Sequence, residues 1–109
     1  MRIIRPPLEE IDAFHAVLYM LVHHYLPKSD SANVRKSAAE LTEKMATLNR
    51  VELPERLLGR DRDFQAARGL LSKTVAALDA AVRTRNETEI KEAVEAVHSA
   101  YQALEKVFN

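Results

Sequence analysis

The sequence contains no cysteine, and it has only two glycines and four prolines among its 109 residues. Without cysteine the chain cannot form a disulfide, a thiol nucleophile, an iron–sulfur cluster or thioether-linked haem. Two glycines are too few for a phosphate-binding loop or for the sharp turn that carries a nucleophilic serine. We therefore expect a protein that is not an enzyme.

The sequence also has no surplus of either charge, because sixteen Lys and Arg residues balance sixteen Asp and Glu residues. Proteins that bind nucleic acids cluster cations against the phosphates, and no long run of one sign is present. The longest apolar stretch, around Val17 to Val22, is too short to span a bilayer. We expect neither a nucleic-acid partner nor a membrane span. Balanced charge favours self-association, which makes a homodimer an alternative.

Apolar residues recur with the period of an α-helix in four segments, and no segment alternates like a strand. The pattern predicts helices over about 8–26, 31–48, 61–85 and 87–108, with Asp30 or Ser31 capping the second helix and Asn86 capping the fourth. Short links make neighbouring helices antiparallel, so we predict a single all-α domain over 1–109, an up-down-up-down four-helix bundle. The longer link, 49–60, is apolar enough to lie across one end. We find no internal repeat beyond the heptad spacing.

Four histidines are the main chemical feature of the chain, and all of them lie in the first and last predicted helices. His15 falls between Ile11 and Leu18 in the apolar stripe, so its ring is predicted to turn toward the interior. From the helical rise, His15 and His98 come to similar heights and could face each other. Tyr19 or His23 would complete the cluster, whereas the helical wheel places His24 on the opposite side from His15.

Imidazole binds Zn, Cu and Ni, and helical bundles build metal sites from facing helices. The sequence therefore suggests a transition-metal site with His15, His23 and His98 as ligands. The alternative is a structural histidine with satisfied nitrogens, because no His-x-x-x-His occurs. Tyr25 and Tyr101 fall at stripe positions, so their rings are predicted to be buried with each hydroxyl near a polar neighbour.

The segment Val94-Glu95-Ala96-Val97-His98-Ser99-Ala100-Tyr101 resembles the last helix of the cytochrome c prime type of four-helix bundle, in which Cys-x-x-Cys-His precedes an aromatic residue. The resemblance implies that His98 matches the proximal haem ligand. However, Val94 and Val97 stand where the family has its cysteines, so covalent haem is excluded and haem is not expected. A non-covalent haem-b carrier, with a ligand such as His15, is an alternative.

The pattern Phe14-His15, His23-His24, Pro27 and Asp30 is similar to that of small exported bacterial bundles of unassigned role. This resemblance implies a periplasmic location and the binding of a transition metal. Our first hypothesis is a haemless bundle that binds a metal ion. A protein–protein interaction module without a ligand is the alternative from a different class.

Overall fold

The computed structural model describes residues 9–108 except for the side chain of Arg56; Leu8, where the first helix was predicted to begin, lies outside the described residues. Within this range the chain is an all-α, up-down-up-down four-helix bundle, as predicted. Its elements are α1 (Glu9–Met20), a π-helical turn (Leu21–Tyr25), α2 (Ser31–Leu48), a 3-10 turn (Glu55–Arg60), α3 (Asp61–Ala81) and α4 (Glu87–Val107).

One apolar stripe from each helix builds the core. The stripes of α2, α3 and α4 are the predicted ones, with buried side chains that recur every three or four residues. The largest packed surface lies between α3 and α4. Helices α1 and α4 meet instead through aromatic rings, and the centroids of Phe14 and Tyr101 are 6.0 Å apart.

The first helix does not continue as an α-helix to residue 26, because Leu21–Tyr25 forms a π-helical turn. The Leu26 amide donates to the Leu21 carbonyl, five residues earlier, at 2.9 Å. Pro27 follows directly, and a proline ring collides with the carbonyl four residues before it in an α-helix. The wider π-helical turn relieves that collision. The heptad spacing of the sequence does not reveal this local change in the backbone.

Both short interhelical turns lead into capped helices. The Asp30 side chain accepts from the Asn33 amide at 3.3 Å, and the Asn86 side chain accepts from the Glu89 amide at 3.1 Å. These contacts satisfy amides that the first turn of a helix leaves free. The third helix ends at Ala81 rather than near residue 85, because the amides of Arg83 and Thr84 donate to carbonyls only three residues earlier and Arg85 then adopts a left-handed backbone with φ of 61°.

The two ends of the bundle are built differently. At one end the 49–60 link covers the core, as predicted: Leu53 is buried, and Val51 and Leu57 pack against the core. Arg60 ties this link to the last turn of α4 by donating from Nη1 to the Val107 carbonyl at 2.8 Å. At the other end, the described part of the chain contributes the turns before α2 and α4. No helix within residues 9–108 is long and apolar enough to cross a membrane.

Candidate functional site

His15 is exposed in the structure, so the prediction that its ring turns toward the interior is wrong. Phe14 takes the stripe position instead and is fully buried, together with Ile11 before it and Leu18 after it. The stripe can step from Ile11 to either 14 or 15, since both spacings fit a helix. Burying a phenyl ring removes more apolar area from water than burying an imidazole, and this decides the register.

Aromatic rings nevertheless form a continuous row along the outside of α1. The His15 ring stacks on Tyr101 of α4 at 5.1 Å between centroids, and its centroid lies 6.2 Å from that of Tyr19. The Tyr19 centroid lies 4.5 Å from that of His23. We call His15, Tyr19, His23 and His24 the histidine row.

His24 joins this row although the helical wheel placed it on the side opposite His15. Its ring centroid lies 6.1 Å from that of Tyr19. The difference follows from the π-helical turn, in which residues five apart occupy the same face. A wheel drawn at 3.6 residues per turn therefore misplaces His24.

The predicted metal ligands lie on α1, on the π-helical turn that follows it and on α4. His15 and His23 are exposed members of the histidine row, and His98 is half-buried on α4, one helical turn before Tyr101. Within residues 9–108, no three His, Asp or Glu side chains are arranged as a metal-binding group. The metal site formed by His15, His23 and His98 stays a prediction, as does the haem-b alternative that uses His15.

The Tyr101 hydroxyl has no hydrogen-bond partner among the described residues, although its oxygen is buried. The sequence predicted a polar neighbour for this hydroxyl; the carboxylates of Glu105 and Asp12 act on it through their charge, but neither forms a hydrogen bond with it. Burial raises the pKa of Tyr101 above its usual range, and the negative charges of Glu105 and Asp12 add to the effect. The ring packs between Phe14 and His15, so apolar contacts hold the side chain in place.

An open cleft lies at the end of the bundle that the 49–60 link does not cover. It has a volume of about 730 Å³ and is bounded by the two short interhelical turns and the first residues of α2 and α4. Its apolar surface comes from the two turns and from the starts of α2 and α4. The residues are Leu26, Pro27, Val34, Val82 and Ile90. Sequence reasoning did not identify this cleft, because these residues are far apart in the chain and each also fits the core pattern.

The two turns contribute equivalent positions to the cleft. The lining residues form five pairs, and in each pair the residue at or after the second turn lies 56 positions later in the sequence than the residue at or after the first turn. The pairs are Leu26 and Val82, Ser29 and Arg85, Ser31 and Glu87, Val34 and Ile90, and Arg35 and Lys91. The cleft is thus built symmetrically by two helical hairpins, a relation that the amino-acid identities do not show.

Cations dominate the polar part of the lining. Arg35, Arg85 and Lys91 border the cleft together with a single carboxylate, that of Glu87. Within residues 9–108 none of these three cations forms an ion pair, whereas Arg83 pairs with Asp79 at 2.9 Å. Two helices begin and two end at the cleft, so their dipoles oppose one another. Side-chain charge therefore sets the sign of the local potential.

Comparison of the chain with known protein families, curated proteins and solved structures finds no match. The similarity to cytochrome c prime bundles therefore rests on the sequence pattern around His98.

The interaction-module alternative also stays a prediction. Among the residues that the structure describes, the exposed large apolar side chains are Tyr19, Met20, Leu58 and Leu70. Leu58 lies in the 3-10 turn and Leu70 lies on α3, so these side chains are distributed over different elements. Single exposed apolar side chains are ordinary on protein surfaces and do not define a partner.

Proposed function

We propose that this protein is a non-catalytic binding protein that holds a small, largely apolar molecule in the cleft between its two interhelical turns. The observation that carries the proposal is the cleft itself, with a volume of about 730 Å³ and an apolar floor. Pockets for small molecules and cofactors typically occupy ~300–1,000 Å³ and combine an apolar lining with a few polar groups.

The chemistry of the lining supports binding rather than catalysis. The hydroxyls at the cleft belong to Ser29 and Ser31, and the lining contains no histidine that could act as their base. Val34 and Val82 are buried beneath the cleft, and Ile90 is half-buried beside them. A ligand gains affinity by covering the apolar side chains of the lining that still face water, namely Leu26, Pro27 and Ile90.

Alkyl alcohols of different length test this proposal. Each methylene buried contributes ~0.8 kcal/mol, which is about a fourfold change in affinity. We expect 1-octanol to bind about fifteenfold more tightly than 1-hexanol, which has two methylenes fewer. In a two-dimensional ¹H–¹⁵N titration, the amides of residues 26–35 and 82–91 should shift together.

A pair of variants on α4 provides the control. Ile90 and Val107 both pack, partly buried, against the core, but they lie at opposite ends of the helix. Ile90→Ala should weaken octanol binding by about three- to tenfold, because the ligand loses part of its apolar contact. Val107→Ala should leave binding unchanged. An equal effect of the two variants, or shifts spread over the whole chain, would refute the proposed site.

A second candidate function is the binding of a transition metal by His15, His23 and His98. It is supported by the contact of His15 with Tyr101, one helical turn from His98, and by the contact of Tyr19 with His23. Neutral imidazole is a good ligand for Zn, Cu and Ni, and exposed side chains can change rotamer to meet an ion.

Melting with and without metal tests this second candidate. An ion present at a hundredfold excess over its Kd stabilises the native state by ~2.7 kcal/mol. The shift in Tm should disappear in His15→Ala, His23→Ala and His98→Ala, and it should persist in His24→Ala, the matched control beside His23. A shift that survives in all four variants would exclude this ligand set.

A further inference from the structure

The cations at the cleft have no ion-pair partner among residues 9–108, and this bears on the chemistry of the ligand. Arg35 and Lys91 occupy equivalent positions on α2 and α4, directly after the apolar floor residues Val34 and Ile90. Arg85 adds a third positive charge from the turn before α4. Apolar surface and positive charge thus lie side by side in both hairpins.

The positive charge is local, because the chain as a whole has a formal net charge of zero. Glu87 is the single carboxylate in the lining, against three cations. Arg85 also holds a left-handed backbone that residues other than glycine rarely adopt. The guanidinium is therefore presented from a turn that glycine would form with less strain.

From this arrangement we infer that the ligand is an anionic amphiphile, with its alkyl part on the apolar floor and its acidic head group among Arg35, Arg85 and Lys91. This inference rests on the proposed function, since it assigns a head group to the molecule bound in the cleft. Arginine binds carboxylate and phosphate through two parallel hydrogen bonds, and both head groups share this chemistry. The floor requires a tail, which distinguishes the ligand from a free inorganic anion.

The decisive experiment compares octanoate, 1-octanol and acetate by the same titration at about pH 7.5, where the carboxylates are ionised. Octanoate should bind about tenfold more tightly than octanol in ~0.02 M salt, and this advantage should shrink in ~0.3 M salt, because exposed charges are screened. Acetate, which has the head group without the tail, should not displace octanoate at equal concentration.

Two double variants that change the net charge equally distinguish direct contact between the cleft cations and the head group from the electrostatic field of the whole protein. Arg35→Gln with Arg85→Gln removes two cations from the cleft, whereas Lys28→Gln with Lys36→Gln removes two neighbours outside its lining. The first pair should reduce the preference for octanoate over octanol to about twofold or less. The second pair should preserve it, and octanol should bind equally well to both.

The possible outcomes separate this inference from the function on which it rests. If octanol binds in the cleft but octanoate binds no more tightly, the ligand is apolar and only the head-group assignment fails. Displacement of octanoate by acetate would show an anion site without a tail and would overturn the inference as well. If neither octanol nor octanoate binds, both the proposed function and the inference are wrong.

Discussion

Leu26 and Val82 occupy equivalent positions at the cleft, but their amides bond differently along the chain. Leu26 donates to Leu21, five residues earlier, at 2.9 Å, and Val82 donates to Leu78, four residues earlier, at 3.0 Å. Leu21 and Leu78 are both fully buried. The first hairpin therefore has one more residue between Leu21 and Leu26 than the second has between Leu78 and Val82. The π-helical turn accommodates this extra residue.

This relation predicts that one residue can be deleted from the π-helical turn. Deletion of His24, which is exposed, should leave a continuous α-helix with the geometry that α3 already shows at Leu78 and Val82. We expect a cooperative folded protein that loses about 1–2 kcal/mol of unfolding free energy, because Pro27 then meets an α-helical carbonyl. Urea unfolding followed by circular dichroism measures the change.

Deletion of Ala16 is the matched control. Ala16 is also exposed, but it lies between the core residues Phe14 and Leu18. Its removal rotates all preceding residues by about 100° and takes Ile11 and Phe14 away from the core. We expect a loss of more than ~3 kcal/mol, comparable with the truncation of a buried aromatic side chain. Equal losses in the two deletions would contradict the one-residue insertion.

The left-handed residues at the two turns lead to a second prediction. Ser29 and Arg85 have φ of 53° and 61°, and each immediately precedes a helix cap, Asp30 or Asn86. The left-handed region costs a residue with a side chain ~1–2 kcal/mol, whereas glycine enters it freely but loses more chain entropy on folding. Ser29→Gly and Arg85→Gly should each raise the unfolding free energy by up to ~1 kcal/mol.

The same variants separate stability from binding. Ser29→Gly should preserve the preference for octanoate, whereas Arg85→Gly should reduce it while raising Tm. Such opposite effects are expected where a strained residue is kept for its side chain. A lower Tm in both variants would show that these turns are not strained.

The sequence predicted the bundle well because the stripes of α2, α3 and α4 follow the α-helical period without interruption. The same method failed on the first helix. One extra residue in the π-helical turn shifts the period, and the choice between Phe14 and His15 depends on which ring buries more apolar area, since the helical period fits both positions. The cleft escaped prediction for a related reason, since the equivalence of Val34 and Ile90 appears only when the two hairpins are folded together.

The Tyr101 hydroxyl, which has no hydrogen-bond partner within residues 9–108, supports a third prediction. A buried polar group without a hydrogen bond costs ~1–3 kcal/mol, so Tyr101→Phe should raise the unfolding free energy by about 1 kcal/mol or more. The phenyl ring keeps the stacking on Phe14 and His15. Tyr25→Phe is the control, because Tyr25 is half-buried, and it should change stability by less than ~0.5 kcal/mol.

The dependence of stability on pH checks the same residue. Burial raises the pKa of Tyr101 in the folded state, so the folded protein retains the phenolic proton after the unfolded chain has released it. Its contribution is complete below the unfolded pKa of about 10 and declines as the pH rises above that value. Unfolding free energies between about pH 8 and pH 11 should fall more steeply in the wild type than in Tyr101→Phe. Parallel curves would exclude a burial effect on Tyr101.

Arg68 supports a last prediction, because it joins α3 to the end of α2 and to the link that covers the core. Its Nη1 donates to the carbonyls of Leu48 and Val51 at 3.2 and 2.9 Å, and its guanidinium carbon lies 4.8 Å from the centroid of the Phe64 ring. Hydrogen bonds from a charged group contribute ~1.5–3 kcal/mol. Arg68→Met keeps most of the apolar stem, so a loss of about 2 kcal/mol in urea unfolding would report the lost hydrogen bonds and ring contact.

Arg62→Met, on the exposed side of the same helix, should change stability by less than ~0.5 kcal/mol. If the two variants lose the same amount, Arg68 does not hold the link, and the apolar contacts of Leu53 and Leu57 are sufficient to close that end of the bundle.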